Sequence, residues 1–156
     1  MRRLNVNSKQ PELSAILLTK GSYDEALCTL VRAWSQQTVK EQIEIVLVCP
    51  NRQDLGLAEC DVAGFAGWQV VEIGEYSSTS VARTAGIRAA TAPVVAFTED
   101  HSFPNCEWAE VIIDRHREGW TGVGRWSFAQ ILAASLVGPI VLSNMVIGRT
   151  RIVSAR

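Results

Sequence analysis

Five consecutive residues, Phe97, Thr98, Glu99, Asp100 and His101, bring two carboxylates and an imidazole to the end of an apolar run. In an extended chain, Glu99 and His101 point to one side and Asp100 to the other. Carboxylate oxygens suit Mg²⁺ or Mn²⁺, and an ion held there can bridge the protein to a diphosphate. The plainer alternative is an acidic pair that solvates a loop and caps the next helix. Upstream, Ser80, Val81, Ala82, Arg83, Thr84, Ala85 and Gly86 stand at a predicted helix start. Such a terminus offers free backbone N–H groups and the positive end of the helix dipole, and Arg83 adds a guanidinium that can grip phosphate with two hydrogen bonds. An ordinary surface arginine is the competing reading. Thr19, just behind the first apolar run, is placed either to hydrogen-bond a nucleobase or simply to form a turn.

These groups need elements to hold them, and the pattern alternates strand and helix. Residues 13–18 are a short apolar run of strand length, followed by a turn at Thr19, Lys20 and Gly21. Ser22 and Glu25 have the spacing of a capping box. Behind them Tyr23, Ala26, Leu27, Leu30, Val31 and Trp34 recur on one helical face that ends near Gln36. The β-branched run 43–48 predicts a second strand, stopped by Pro50. Residues 51–67 have no clear period and predict a loop containing one helical turn. Residues 68–73 predict a third strand, and Ser77, Ser78, Thr79 and Ser80 offer several N-caps for a helix over 81–90. The small residues Ala82, Ala85, Gly86 and Ala89 would let that helix lie close on a sheet. Residues 93–97 predict a fourth strand, and 105–118 a further helix stopped by Gly119.

Strand–helix alternation with apolar strands predicts an α/β fold: a mostly parallel, Rossmann-like sheet with helices on both faces. Ligands of such sheets bind beyond the carboxyl ends of the strands. Here those ends are Thr19-Lys20, Cys49-Pro50-Asn51 and Thr98 to His101, so the chemistry is expected along one edge.

Bulk composition narrows the partners. The 156 residues are 47% hydrophobic and 20% charged with a net charge of −1, and no basic stripe marks a predicted helix, so nucleic acid is not expected. Any phosphate must be gripped by a local constellation. The four cysteines, Cys28, Cys49, Cys60 and Cys106, form no CxxC pair and are expected to be free thiols in a reducing cytoplasm. Residues 1–10 lack the apolar core of a signal peptide, so export is not expected.

The ordered pieces Leu17-Leu18-Thr19, Gln36-Gln37-Thr38, Glu44 to Val48, Ala82-Arg83-Thr84-Ala85-Gly86, Phe97 to His101 and Trp108 together resemble family 2 glycosyltransferases of the GT-A fold. The resemblance covers residues 12–124 and corresponds to the N-terminal, nucleotide-sugar-binding half. It implies a hexosyltransferase-type enzyme that takes a nucleotide-diphosphate sugar, with Mn²⁺ or Mg²⁺ as cofactor. Thr19 would lie near the base, Arg83 near the base or diphosphate, Asp100 at the nucleotide sugar, and Glu99 and His101 at the metal. Three departures stand out. Cys49-Pro50 replaces the aspartates that usually meet the base, His101 replaces the last acid of the metal-binding triplet, and Thr84 replaces an asparagine.

Composition shifts near residue 119. From there to the end the sequence has four arginines and no Asp, Glu or Lys, whereas the resemblance implies a carboxylate base in the following half. The expected organisation is a donor-binding domain over 1–124 and an apolar, acid-free tail over 125–156, read as a truncated or non-native continuation. Residues 131–147 are at the short limit for a membrane span. A pair of buried segments or a tail that associates with the inner face of the membrane are the alternatives. The sequence therefore carries two functional expectations: a sugar transferase acting on an unknown acceptor, and a non-catalytic binding module or other nucleotide-using transferase of the same fold.

Overall fold

Successive side chains along the central strands are buried on opposite faces of the sheet, and that alternation builds the molecule. The computed structural model describes residues 10–19, 25–55, 59–99, 103–120, 122–124 and 145–148. The described elements are β1 (Leu13–Leu18), α1 (Glu25–Ser35), β2 (Ile43–Cys49), β3 (Gly67–Glu72), α2 (Thr79–Ala89), β4 (Val94–Thr98), α3 (Trp108–Arg117), β5 (Gly122–Gly124) and β6 (Met145–Gly148). The sheet order is β3-β2-β1-β4-β6-β5. The first four strands are parallel. β6 lies antiparallel on the outer side of β4, and β5 antiparallel on β6.

One face of the sheet, carried by Leu13, Ala15, Leu17, Ile45, Leu47, Val94 and Ala96, is covered by Leu30, Val31 and Trp34 of α1 and Ala109, Ile112 and Ile113 of α3. The other, carried by Ile16, Val46, Val48, Val95 and Phe97, is covered by Ala82 and Ala89 of α2. Period-two alternation thus feeds both faces, as a parallel sheet requires. Gly86 is what lets α2 come so near: a Cβ there would stand 2.6 Å from Ile16 Cγ2 and 3.2 Å from Val48 Cγ2. α3 ends in a Schellman motif, in which Gly119 adopts φ +96°. Its N–H donates to the His116 carbonyl, and the Trp120 N–H donates to that of Arg115.

The structure corrects the sequence-based expectations in several places. The strands are not uniformly apolar. Ser14, Glu44 and Gln69 are buried side by side on adjacent strands. Ser14 Oγ donates to Glu44 Oε2 at 2.6 Å, and Gln69 Nε2 to Glu44 Oε1 at 2.9 Å. The Thr91 N–H donates to Glu44 Oε2, and that of Ala92 to Ser14 Oγ. The network ties three strands to the α2–β4 turn at the amino ends of the strands, away from the expected ligand edge. Residues 51–67 hold two 3₁₀ turns (Arg52–Leu55 and Glu59–Val62) rather than one helical turn. α3 starts three residues later than its sequence pattern predicts. Of the apolar stretch 131–147, Met145, Val146 and Ile147 belong to β6, and 131–144 lie outside the described residues. So does the capping box from Ser22 to Asp24. No helix among the described residues is long and apolar enough to cross a membrane.

Candidate functional site

The carboxyl ends of β1, β2 and β4 and the amino end of α2 share one edge of the sheet. Leu17 and Thr98 are the last registered pair of β1 and β4, so Leu18-Thr19 and Glu99 leave the sheet side by side. Thr19 is buried, and its N–H donates to the Val48 carbonyl at 2.9 Å, which extends the ladder one residue beyond β1. Thr98 Oγ1 donates to the Ile16 carbonyl and closes β4 against β1. Glu99 follows, half-buried. Asp100 and His101 lie outside the described residues. Among the described residues no three His, Cys, Asp or Glu side chains gather as a metal-ligand set.

α2 reaches this edge because β3 runs parallel to its neighbours and hands the chain over at its carboxyl end. Of the four possible caps, Ser78 is the one used. Its backbone is extended, and its Oγ accepts from the Val81 N–H at 3.2 Å. Thr79 Oγ1 accepts from the Tyr76 hydroxyl, which steadies the entry to the helix. Thr84 Oγ1 donates to the Ser80 carbonyl at 2.8 Å, so this departure from the family's asparagine is turned back onto its own helix. One turn into α2, Arg83 is exposed and its guanidinium carbon lies 5.2 Å from the centre of the Phe97 ring. Sequence reasoning missed that contact. The available signal was that Phe97 is the last apolar residue on the α2 face of β4.

At the end of β2 the other departure is equally concrete. Cys49 is fully buried, and its carbonyl accepts from the Ile73 N–H. The Pro50 carbonyl accepts from the N–H of Gly74, which turns with φ +68°. Asn51 Oδ1 accepts from the Gln53 N–H. Where the resemblance leads one to expect aspartates that meet the base, this chain has a buried thiol and a proline, whose carbonyls are bonded to the β3 exit. Cys49, buried, and Cys106, exposed, are not joined in disulfides.

No protein-family model and no curated protein sequence matches this chain. Solved structures do. Mannosyltransferase PcManGT from Pyrobaculum calidifontis, in complex with GDP-Man and Mn²⁺, superposes with a TM-score of 0.68 at 14% identity, covering 91% of this chain and 46% of its own. Residues 1–349 of S. aureus TarS, in complex with UDP, give 0.57 at 20% identity, covering 68% of this chain and 33% of that one. The same TarS segment with UDP-GlcNAc gives 0.53 at 23% identity and covers 68% and 32%. The chain has a GT-A-like glycosyltransferase fold. In this GT-A-like sheet, Thr19, Arg83 and Glu99 stand at the carboxyl edge, and the chain spans less than half the length of each of these structures.

Proposed function

We propose that this chain binds a nucleotide-diphosphate sugar along the carboxyl edge of its sheet and serves as the donor-binding half of a glycosyltransferase. The observation that carries the reading is the convergence on that edge of the capped amino end of α2, the Arg83 guanidinium and Glu99. A helix amino terminus with an arginine nearby suits a diphosphate, because N–H dipoles and a planar cation meet its oxygens together. Structures of the same fold hold UDP, UDP-GlcNAc and GDP-Man, which supports the ligand class. Thr19 stands where a base would approach the end of β1.

The donor chemistry of the acidic tip fits a divalent ion. Glu99 and Asp100 offer carboxylate oxygens, which suit Mn²⁺ or Mg²⁺, and His101 offers an imidazole nitrogen that Mn²⁺ accepts. In this reading Glu99 and His101 hold the metal, and Asp100 contacts the nucleotide sugar. The ion's contribution is to neutralise diphosphate charge. The chain's own residues bind and orient the donor.

Calorimetric titration of UDP and GDP, with and without Mn²⁺, tests the reading. One nucleotide should bind in a Mn²⁺-dependent manner. Arg83→Ala should weaken binding about tenfold with or without metal, whereas Glu99→Ala or His101→Ala should remove the Mn²⁺ dependence. Absence of binding by either nucleotide, with metal present, would overturn it.

A second reading, a module that binds the donor without transferring sugar, is favoured by Cys49-Pro50, which stands where the resemblance implies aspartates that meet the base. Measurable sugar transfer by the purified 156-residue chain would exclude it. Peripheral membrane association through 125–156, at the cytoplasmic face, belongs to the same proposal. Co-flotation with anionic vesicles that disappears when the tail is removed would support it.

A further inference from the structure

Phe97 and Arg83 meet across the interface between α2 and β4. The ring belongs to the cluster under α2 and is 8% exposed. It is therefore held by packing before any ligand arrives. The guanidinium carbon stands 5.2 Å from its centroid, inside the distance at which a cation is attracted to a ring face. Arg83 makes no ion pair among the described residues. Arg115 and Arg117 differ, being engaged by Glu118 and by Glu12 and Asp114. Among the described residues the partner that holds Arg83 is thus a neutral ring, not a carboxylate. Glu99 stands two residues beyond Phe97, just past the end of β4.

We propose that Phe97 is a positioning residue for the donor site: its ring fixes the Arg83 guanidinium at the sheet edge, ready to meet the diphosphate. The inference rests on the donor-binding reading above. A long arginine side chain that is free in solvent must give up its rotamer freedom when it grips an anion. One already resting on a rigid ring gives up less, and a ring does not compete with phosphate as a carboxylate would. The planar guanidinium can keep its face on the ring while its N–H edge points outward, a geometry that lysine cannot reproduce.

The test is a double-mutant cycle read by titration with UDP and with GDP in the presence of Mn²⁺. Phe97→Leu keeps the site apolar but removes the ring, and should weaken binding about three- to tenfold. In the Arg83→Ala background the same substitution should change nothing, because the ring acts only through Arg83. Phe97→Tyr should bind like the wild type. Equal losses in both backgrounds, or no loss in either, would overturn the inference while leaving the donor-site reading intact. If wild-type protein binds neither nucleotide, both fall together. A second measurement needs no ligand and no substitution in the core: the Arg83 Nε–H resonance of the wild-type protein should be shifted by the ring current of Phe97. A resonance at the position of a freely solvated arginine would also overturn the inference.

Discussion

At the scale of single residues, Gly86 and His116 make the sharpest demands. Alanine is intrinsically better in a helix than glycine by about 1 kcal/mol, so Gly86→Ala would stabilise an isolated α2. Here the added Cβ would lie 2.6 Å from a methyl of Ile16, a fully buried β-branched side chain that cannot step aside cheaply. Overpacking of this kind costs about 1–3 kcal/mol, and the strain should win. Urea denaturation should show a lower midpoint for Gly86→Ala, and an unchanged or higher midpoint would mean that α2 can ride up off the sheet. His116, near the end of α3, has its pKa held below the usual histidine value by burial, while a hydrogen bond to the Trp120 backbone works in the opposite direction. Its Nε2 is buried without a hydrogen-bond partner, which agrees with a neutral ring. The unfolded chain therefore takes up a proton at this position before the folded one does. Stability contributed here is complete above the ordinary histidine pKa and is lost as pH falls through the lowered one. Unfolding free energies measured from pH 7.5 down to 5 should fall less steeply for His116→Gln than for the wild type. Parallel slopes would show that the ring protonates equally in both states.

At the scale of elements, α3 shows how a helix can be capped by a neighbour. Glu107 occupies the N-cap position without a side-chain cap. The missing acceptor comes from the segment after α1: Gln37 Oε1 accepts from the Ala109 N–H at 2.9 Å, and Gln37 Nε2 donates to the Asn105 carbonyl at 2.6 Å. Thr38 adds a bond from its N–H to the Cys106 carbonyl and another from Oγ1 to Glu110. Gln37→Ala should cost about 1–2 kcal/mol. Its signature would be faster amide exchange confined to the first turn of α3, and a uniform change across the chain would argue against a local cap. The same element explains what was legible in the sequence. Strand positions, the amphipathic face of α1, the small-residue face of α2 and the glycine stop of α3 follow from local period and capping chemistry, and the sequence displays both. Gln37 was visible only as part of a family pattern, because its partners are about seventy positions away. Ser14, Glu44 and Gln69 each look like a lone polar residue in an apolar strand. The bonds that Ser14 and Gln69 donate to Glu44 depend on a parallel register that no local pattern encodes. In the candidate site the strand-end location of Thr19 and Glu99 and the place of Arg83 near the start of α2 were readable, but the Arg83–Phe97 contact was not, since it requires knowing that α2 lies over β1 and β2 with Arg83 beside the end of β4.

At the scale of the whole molecule, the question is what the acid-free tail contributes. β4 pairs with β1 on one side and with β6 on the other, where Val94, Val95 and Ala96 face Gly148, Ile147 and Val146. β5 is joined to the sheet through β6. Removing residues 125–156 would therefore delete β6, leave 122–124 without its partner strand and turn the apolar β4 into an open edge, a template for pairing with another chain. Thr19, Arg83 and Glu99 all lie before the cut, at the ends of β1 and β4 and on α2, and β1 keeps both of its parallel partners while β4 keeps β1. The deletion is accordingly expected to separate two properties. The shortened chain should unfold at lower urea and self-associate in sedimentation, yet bind nucleotide as the full chain does. A monomer with unchanged stability would show that 1–124 is a domain in its own right and that β6 is dispensable. Loss of nucleotide binding from a folded, monomeric 1–124 would instead mean that the tail shapes the donor site, and the division proposed for this chain would have to be redrawn.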